Sequence, residues 1–142
     1  MPTLSRWLRP EPRDLRHTLR VSGAEMMREL AAVLDGHRWD ELAGLLHPEF
    51  GWRLVHTGEQ YDRDGWVRLN AEYPGFQNFR LEDWVADGDR AAGRAHVTGM
   101  TDGRLQHFEV ASFLTVRDNL IAELTEVWTD VDGTPPAGTR PD

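Results

Sequence analysis

Three short turns dominate the second half of the sequence: Asp87-Gly88-Asp89, Asp102-Gly103 and Arg117-Asp118-Asn119. Asp-Gly between alternating runs is the strongest local hairpin signal, because both residues tolerate the left-handed backbone that such turns need. The segments they separate read as four long strands over 79–86, 90–101, 105–116 and 120–129. A meander of consecutive antiparallel strands follows, and it excludes an all-helical bundle and a parallel α/β sheet.

The first half has helical periodicity instead. Ser22-Gly-Ala-Glu25 matches a capping box, and Met26, Met27, Leu30, Val33 and Leu34 recur at helical spacing up to a stop at Asp35-Gly36. Trp39, Leu42, Leu45 and Leu46 predict a second, short helix ended by Pro48. A short strand is expected over 50–56. Asp62 or Asp64 would cap a third helix carrying Trp66, Val67, Leu69, Asn70 and Tyr73, broken by Pro74-Gly75. The expected class is α+β: a cone-shaped α+β barrel of three N-terminal helices packed on a curved, mainly antiparallel sheet. The sheet's other face carries enough apolar side chains to need cover, which predicts a homodimer.

With 142 residues, one domain is expected. Residues 1–20 read as a basic, flexible extension, 21–131 as the folded domain, and the Pro- and Gly-rich stretch 132–142 as a tail. The formal charge of -8 divides unevenly. Five arginines against Glu11 and Asp14 give the first 20 residues +3, which leaves -11 on the other 122. An acidic body repels phosphate backbones, so nucleic acid is not an expected partner. No apolar run reaches the ~20 residues of a membrane helix, and the first 20 residues do not read as a secretory signal, so a cytoplasmic protein without a membrane partner is expected.

The chain has neither cysteine nor lysine, since all 16 basic residues are arginine. Thiolate catalysis, zinc–thiolate sites and Schiff-base chemistry are thereby excluded. Carboxylate, histidine and arginine remain. Alternation places Arg94 and His96 on one parity of the second long strand, His107 and Glu109 on one parity of the third, and Glu126 and Trp128 on one parity of the last. If these parities share a face, a polar cluster sits among aromatic walls, as a small-molecule site requires. In that arrangement Glu126 would exchange a proton, His96 would assist it, and Arg94 would stabilise negative charge. The alternatives are a Glu126–Arg94 ion pair without chemistry, or an outward Glu126. Trp52, Trp66 and Trp128 are candidate pocket walls, and His56 and Tyr61 candidate contacts near its mouth. His96, His107 and Glu109 raise the thought of a metal, but no HxH or HExxH spacing supports one, and neither metal nor cofactor is expected.

Three stretches, DGHRWDELAGLLHPEF, EDWVADGDRAAGRAHVTG and VRDNLIAELTEVWTD, together with the element order, resemble the nuclear transport factor 2-like superfamily and, within it, the SnoaL-like polyketide cyclases. The resemblance covers about residues 22–131. It implies a last-strand acid, which falls on Glu126, where the relatives carry aspartate. It also implies an Arg-x-Asp on the second strand of the meander, where this chain has Arg94-Ala95-His96. The tyrosine and aspartic acid that form the oxyanion hole of ketosteroid isomerase have no clear counterparts here. The function implied is a pocket for a hydrophobic, carbonyl-bearing small molecule, used either by a cofactor-independent isomerase, cyclase or hydrolase or by a non-catalytic binding or dimerisation module.

Overall fold

A computed structural model describes residues 20–142, so the expectation for the basic extension falls, apart from Arg20, outside the described residues. Helix α1 spans Gly23–Asp35, α2 spans Trp39–Leu42 and runs into a 3-10 turn at Ala43–Leu45, and α3 spans Arg63–Ala71. The strands are β1 Leu46–Leu54, β2 Gln60–Asp62, β3 Phe76–Asp87, β4 Arg90–Thr101, β5 Arg104–Arg117 and β6 Leu120–Asp130. They form one open six-stranded sheet in the order β2-β1-β6-β5-β4-β3. Every pairing is antiparallel except β1 with β6.

The local signals act as their chemistry requires. Ser22 Oγ accepts the Glu25 N–H at 3.1 Å and so caps α1; Asp62 Oδ1 accepts the Gly65 N–H at 2.9 Å and caps α3. Asp102-Gly103 and Asp118-Asn119 take positive φ at both central positions, which matches the twist of the hairpins they close. At the end of α1 the left-handed residue is His37, at φ 53°, and Gly36 stays right-handed. His37 is held there by Gln77 O at 2.6 Å and by stacking on Trp39.

The second helix is shorter than its periodicity predicts. Pro48 does not end it but lies inside β1, in the irregular stretch between the pairs Leu46–Ile121 and Gly51–Glu123. A proline is tolerated there because the ladder does not call on its missing N–H. β2, three residues long, has too little pattern to be seen in the sequence. Tyr73 lies beyond the end of α3.

The apolar face of α1 (Met26, Met27, Leu30, Val33 and Leu34) is buried against the sheet. The small residues of β4 permit the close approach: a Cβ on Gly93 would stand 3.0 Å from Met27 Sδ. The N-terminus of α1 is tied to the turn ends of the sheet through Gly23 N–H to Gly88 O at 2.8 Å and Val21 N–H to Asn119 Oδ1 at 2.9 Å. One sheet face is thus roofed by helices. The other exposes Phe113 and Val127, at 48% and 42%, in the middle of β5 and β6. Among the described residues, no helix is long and apolar enough to cross a membrane.

Candidate functional site

Between the roofed face of the sheet and the helices lies a cavity of about 350 Å³. Its walls are mostly apolar and aromatic: Leu34, Trp52, Trp66, Phe76, Phe79, Val97, Phe108 and Trp128. Glu126 is set into this wall from β6 and is only 4% exposed. Its Oε1 accepts Trp52 Nε1–H at 2.7 Å, and its Oε2 is 2.9 Å from Ser112 Oγ. The apolar surroundings disfavour the charged form, and burial raises the Glu126 carboxyl above its ordinary value of 4.5 against the opposing pull of Trp52, Ser112 and Trp128. A carboxylic acid whose neutral form is favoured by burial, in a cavity of ligand size, can act as a hydrogen-bond donor or a general acid.

Arg94 and His96 do not join it. They occupy the opposite, unroofed face of the sheet, and so do His107 and Glu109. The reason is a β-bulge. Arg117 pairs with Leu120 and Val116 with Ile121, but the next pair is Thr115 with Glu123, so Ala122 is an extra residue. Regular pairing from the turn would set Glu126 beside Ala111, whose β4 partner is Arg94. One inserted residue reverses the parity of everything after it. Glu126 therefore pairs with Ser112 and shares the inner face with it and Gly93, while Arg94, Ala111 and Val127 line up outside.

The displaced residues form a network of their own. Arg94 Nη1 donates to Glu82 Oε1 at 3.0 Å and Glu109 Oε1 at 2.9 Å, and His96 Nε2 lies 2.8 Å from His107 Nδ1. Arg80 holds the other Glu82 oxygen at 3.2 Å. Glu82, His96 and Glu109 offer ligand atoms within 4.8 Å of one another, a spacing a divalent ion could bridge. Arg94 already donates to both carboxylates there.

The aromatic expectations divide. Trp52, Trp66, Trp128 and His56 line the cavity. Tyr61, the cross-strand partner of Trp52, stacks beside it with ring centroids 5.6 Å apart and does not itself line the cavity. Sequence reasoning missed Ser112, Asn70, Glu59 and Asp130, all of which line the cavity or hold Glu126. The available signal was Ile121-Ala122, two adjacent apolar residues before the alternation of Leu124, Glu126 and Trp128, which marks the bulge.

A family model for the SnoaL-like domain matches residues 27–124. No curated protein matches the sequence closely enough to carry an argument. Among solved structures, a candidate ketosteroid isomerase from Kribbella flavida is 31% identical, with 78% of this chain and 80% of that one aligned at a TM-score of 0.68. IdmH, a candidate polyketide cyclase from Streptomyces antibioticus, is 20% identical over 75% of this chain and 91% of its own, with a TM-score of 0.64. An LEH-like epoxide hydrolase from M. tuberculosis is 14% identical over 73% of this chain and 80% of its own, also at a TM-score of 0.64. At their identities the last two bear on the fold alone. The family match, the open sheet roofed by helices and these likenesses agree: the chain belongs to the SnoaL-like domain family of the nuclear transport factor 2-like superfamily.

Proposed function

We propose that this protein binds a hydrophobic small molecule in the roofed cavity and acts on it by proton transfer through Glu126, without a cofactor. The observation that carries this reading is the buried, doubly hydrogen-bonded Glu126 carboxyl, biased toward its neutral form in a wall of otherwise apolar character. In the forward step its proton passes to a carbonyl or epoxide oxygen of the ligand. The carboxylate left behind is stabilised by the Trp52 indole N–H and the Ser112 hydroxyl. Return of a proton from a ligand carbon or from water restores the acid. Arg94 and His96 take no part in this step. Turnover of a panel of cyclic ketones and epoxides by wild type and Glu126→Gln tests the proposal. A general acid is worth about 10²–10⁴ in rate, so a loss of about a hundredfold or more with ligand affinity retained is expected, and equal rates would refute it.

One observation favours a second reading, a non-catalytic binder of the same ligand class. Both Glu126 oxygens already have protein partners, as a purely structural buried acid would. That reading requires tight ligand binding without turnover, unchanged in Glu126→Gln.

For the unroofed face we propose a second copy of this chain as the cover. Phe113, Val127 and Ala111 form its apolar centre, and the Arg94–Glu109–His96 network lies beside them as a polar margin. Glu109 Oε2, buried without a hydrogen-bond partner, lies in that network.

A further inference from the structure

Glu126 is one of three carboxylates in the cavity wall. β1 and β6 run parallel, with Leu54 opposite Glu126. The loop after β1, which carries His56 and Glu59, therefore emerges at the same end of the sheet as the last residues of β6. Asp130 follows Glu126 by four residues on the same parity. At about 3.3 Å per residue the two acids stand about 13 Å apart along the strand. Trp128 lies between them, edge-on to Phe108 at a centroid distance of 6.4 Å. Both Glu59 and Asp130 line the cavity and are exposed, which places them at its open end.

The cavity thus has an acid at depth, an aromatic corner at mid-length and two solvent-facing carboxylates at the mouth. Among the described residues, no arginine lines it, and His56 is its one basic side chain. The arginine that the sequence would place beside Glu126 is spent on the outer face, bound to Glu82 and Glu109. An anionic ligand would meet repulsion at the entrance without a counter-ion inside. A cation would gain from Glu59 and Asp130, from the faces of the aromatic rings, and from the surplus negative charge of the whole body.

We propose that the ligand is an aromatic or polycyclic amine, bound with its ammonium group at Asp130 and Glu59, its ring system against Trp128 and Phe108, and its reacting oxygen toward Glu126. This rests on the roofed cavity being the ligand site, and it adds the charge and the orientation of what enters. The anion-stabilising role that the sequence assigns to Arg94 gives way to recognition of positive charge at the other end of the ligand.

Calorimetric titration of the full chain with three probes of one shape tests it: a naphthylbutylamine, the matching naphthylbutanol and the matching naphthylbutanoate. The titration is run at pH 8, where the amine is still charged. The amine is expected to bind about tenfold more tightly than the alcohol, with the butanoate weakest, and its advantage should shrink as salt is added. In the double variant Glu59→Gln, Asp130→Asn the advantage should vanish while the affinity for the alcohol stays. Both positions are exposed, so the fold is not at stake, and circular dichroism checks it. A butanoate that binds as tightly as the amine, or an amine advantage that survives the double substitution, overturns this inference and leaves the cavity reading intact. If none of the three probes binds, the cavity reading falls, and this inference with it.

Discussion

Replacing Glu126 by glutamine separates the two forces acting on this carboxyl. Burial favours the protonated form, whereas donation from Trp52 and Ser112 favours the carboxylate, and burial is the larger. The folded state then binds the Glu126 proton more tightly than the unfolded chain does. The stability tied to that proton is complete below the ordinary value of 4.5 and is lost as pH rises from there toward the raised folded value. Each pH unit within the window costs the wild type about 1.4 kcal/mol. Glutamine stays neutral throughout, and its amide can accept from Trp52 and donate to Ser112 in nearly the same space. The two proteins should therefore be about equally stable at the acid edge. As pH rises through the window, Glu126→Gln should pull ahead of the wild type at that rate, and the gap should level off once the folded pKa is passed. Urea unfolding followed by tryptophan fluorescence at pH 4.5, 5.5, 6.5 and 7.5 measures this, and the other titrating groups cancel in the difference. A flat difference would show that Glu126 is not perturbed. A wild type that gains on the variant with rising pH would show that the two donors outweigh burial, and the acid role would lose its basis.

Three further outcomes are expected. Trp52→Phe deprives the buried Glu126 Oε1 of its donor and should cost about 1–3 kcal/mol in urea unfolding, while moving the pH window of the preceding experiment upward. Gly75 has φ 80°, and a Cβ there would collide with the Met100 carbonyl oxygen, whereas Gly88, at φ 58°, faces open space. Gly75→Ala should accordingly cost about 2 kcal/mol or more and Gly88→Ala about 1 kcal/mol; equal losses by thermal unfolding would count against the close packing of the β3 start on β4. Phe113→Asp places a charge at the apolar centre of the unroofed face and should convert a dimer to a monomer by sedimentation, with the Glu126 pH response intact; an unchanged sedimentation coefficient would remove that face from the interface.

Much of the fold was legible because its signals are local. Asp102-Gly103 and Asp118-Asn119 adopt the backbone their side chains favour whatever surrounds them, and Ser22 and Asp62 cap helices with their own oxygens. The four meander strands lie within a few residues of their predicted limits for that reason. The short β2 and the passage of Pro48 through β1 were not legible, since both depend on what the neighbouring strand offers.

The candidate site was legible in its parts and not in its assembly. The sequence alone limits the chemistry to carboxylate, histidine and arginine, and it singles out Glu126, Trp52, Trp66 and Trp128. It also names Arg94 and His96, and regular alternation from the Asp118-Asn119 turn would bring them to Glu126. Tertiary structure decided otherwise at Ala122. Burying both Ile121 and Ala122 against the core inserts one residue into β6, and every later side chain changes face. Alternation has a period of two and keeps no memory of position, so a single bulge, fixed by packing from distant parts of the chain, determines whether an arginine or a serine stands beside the acid.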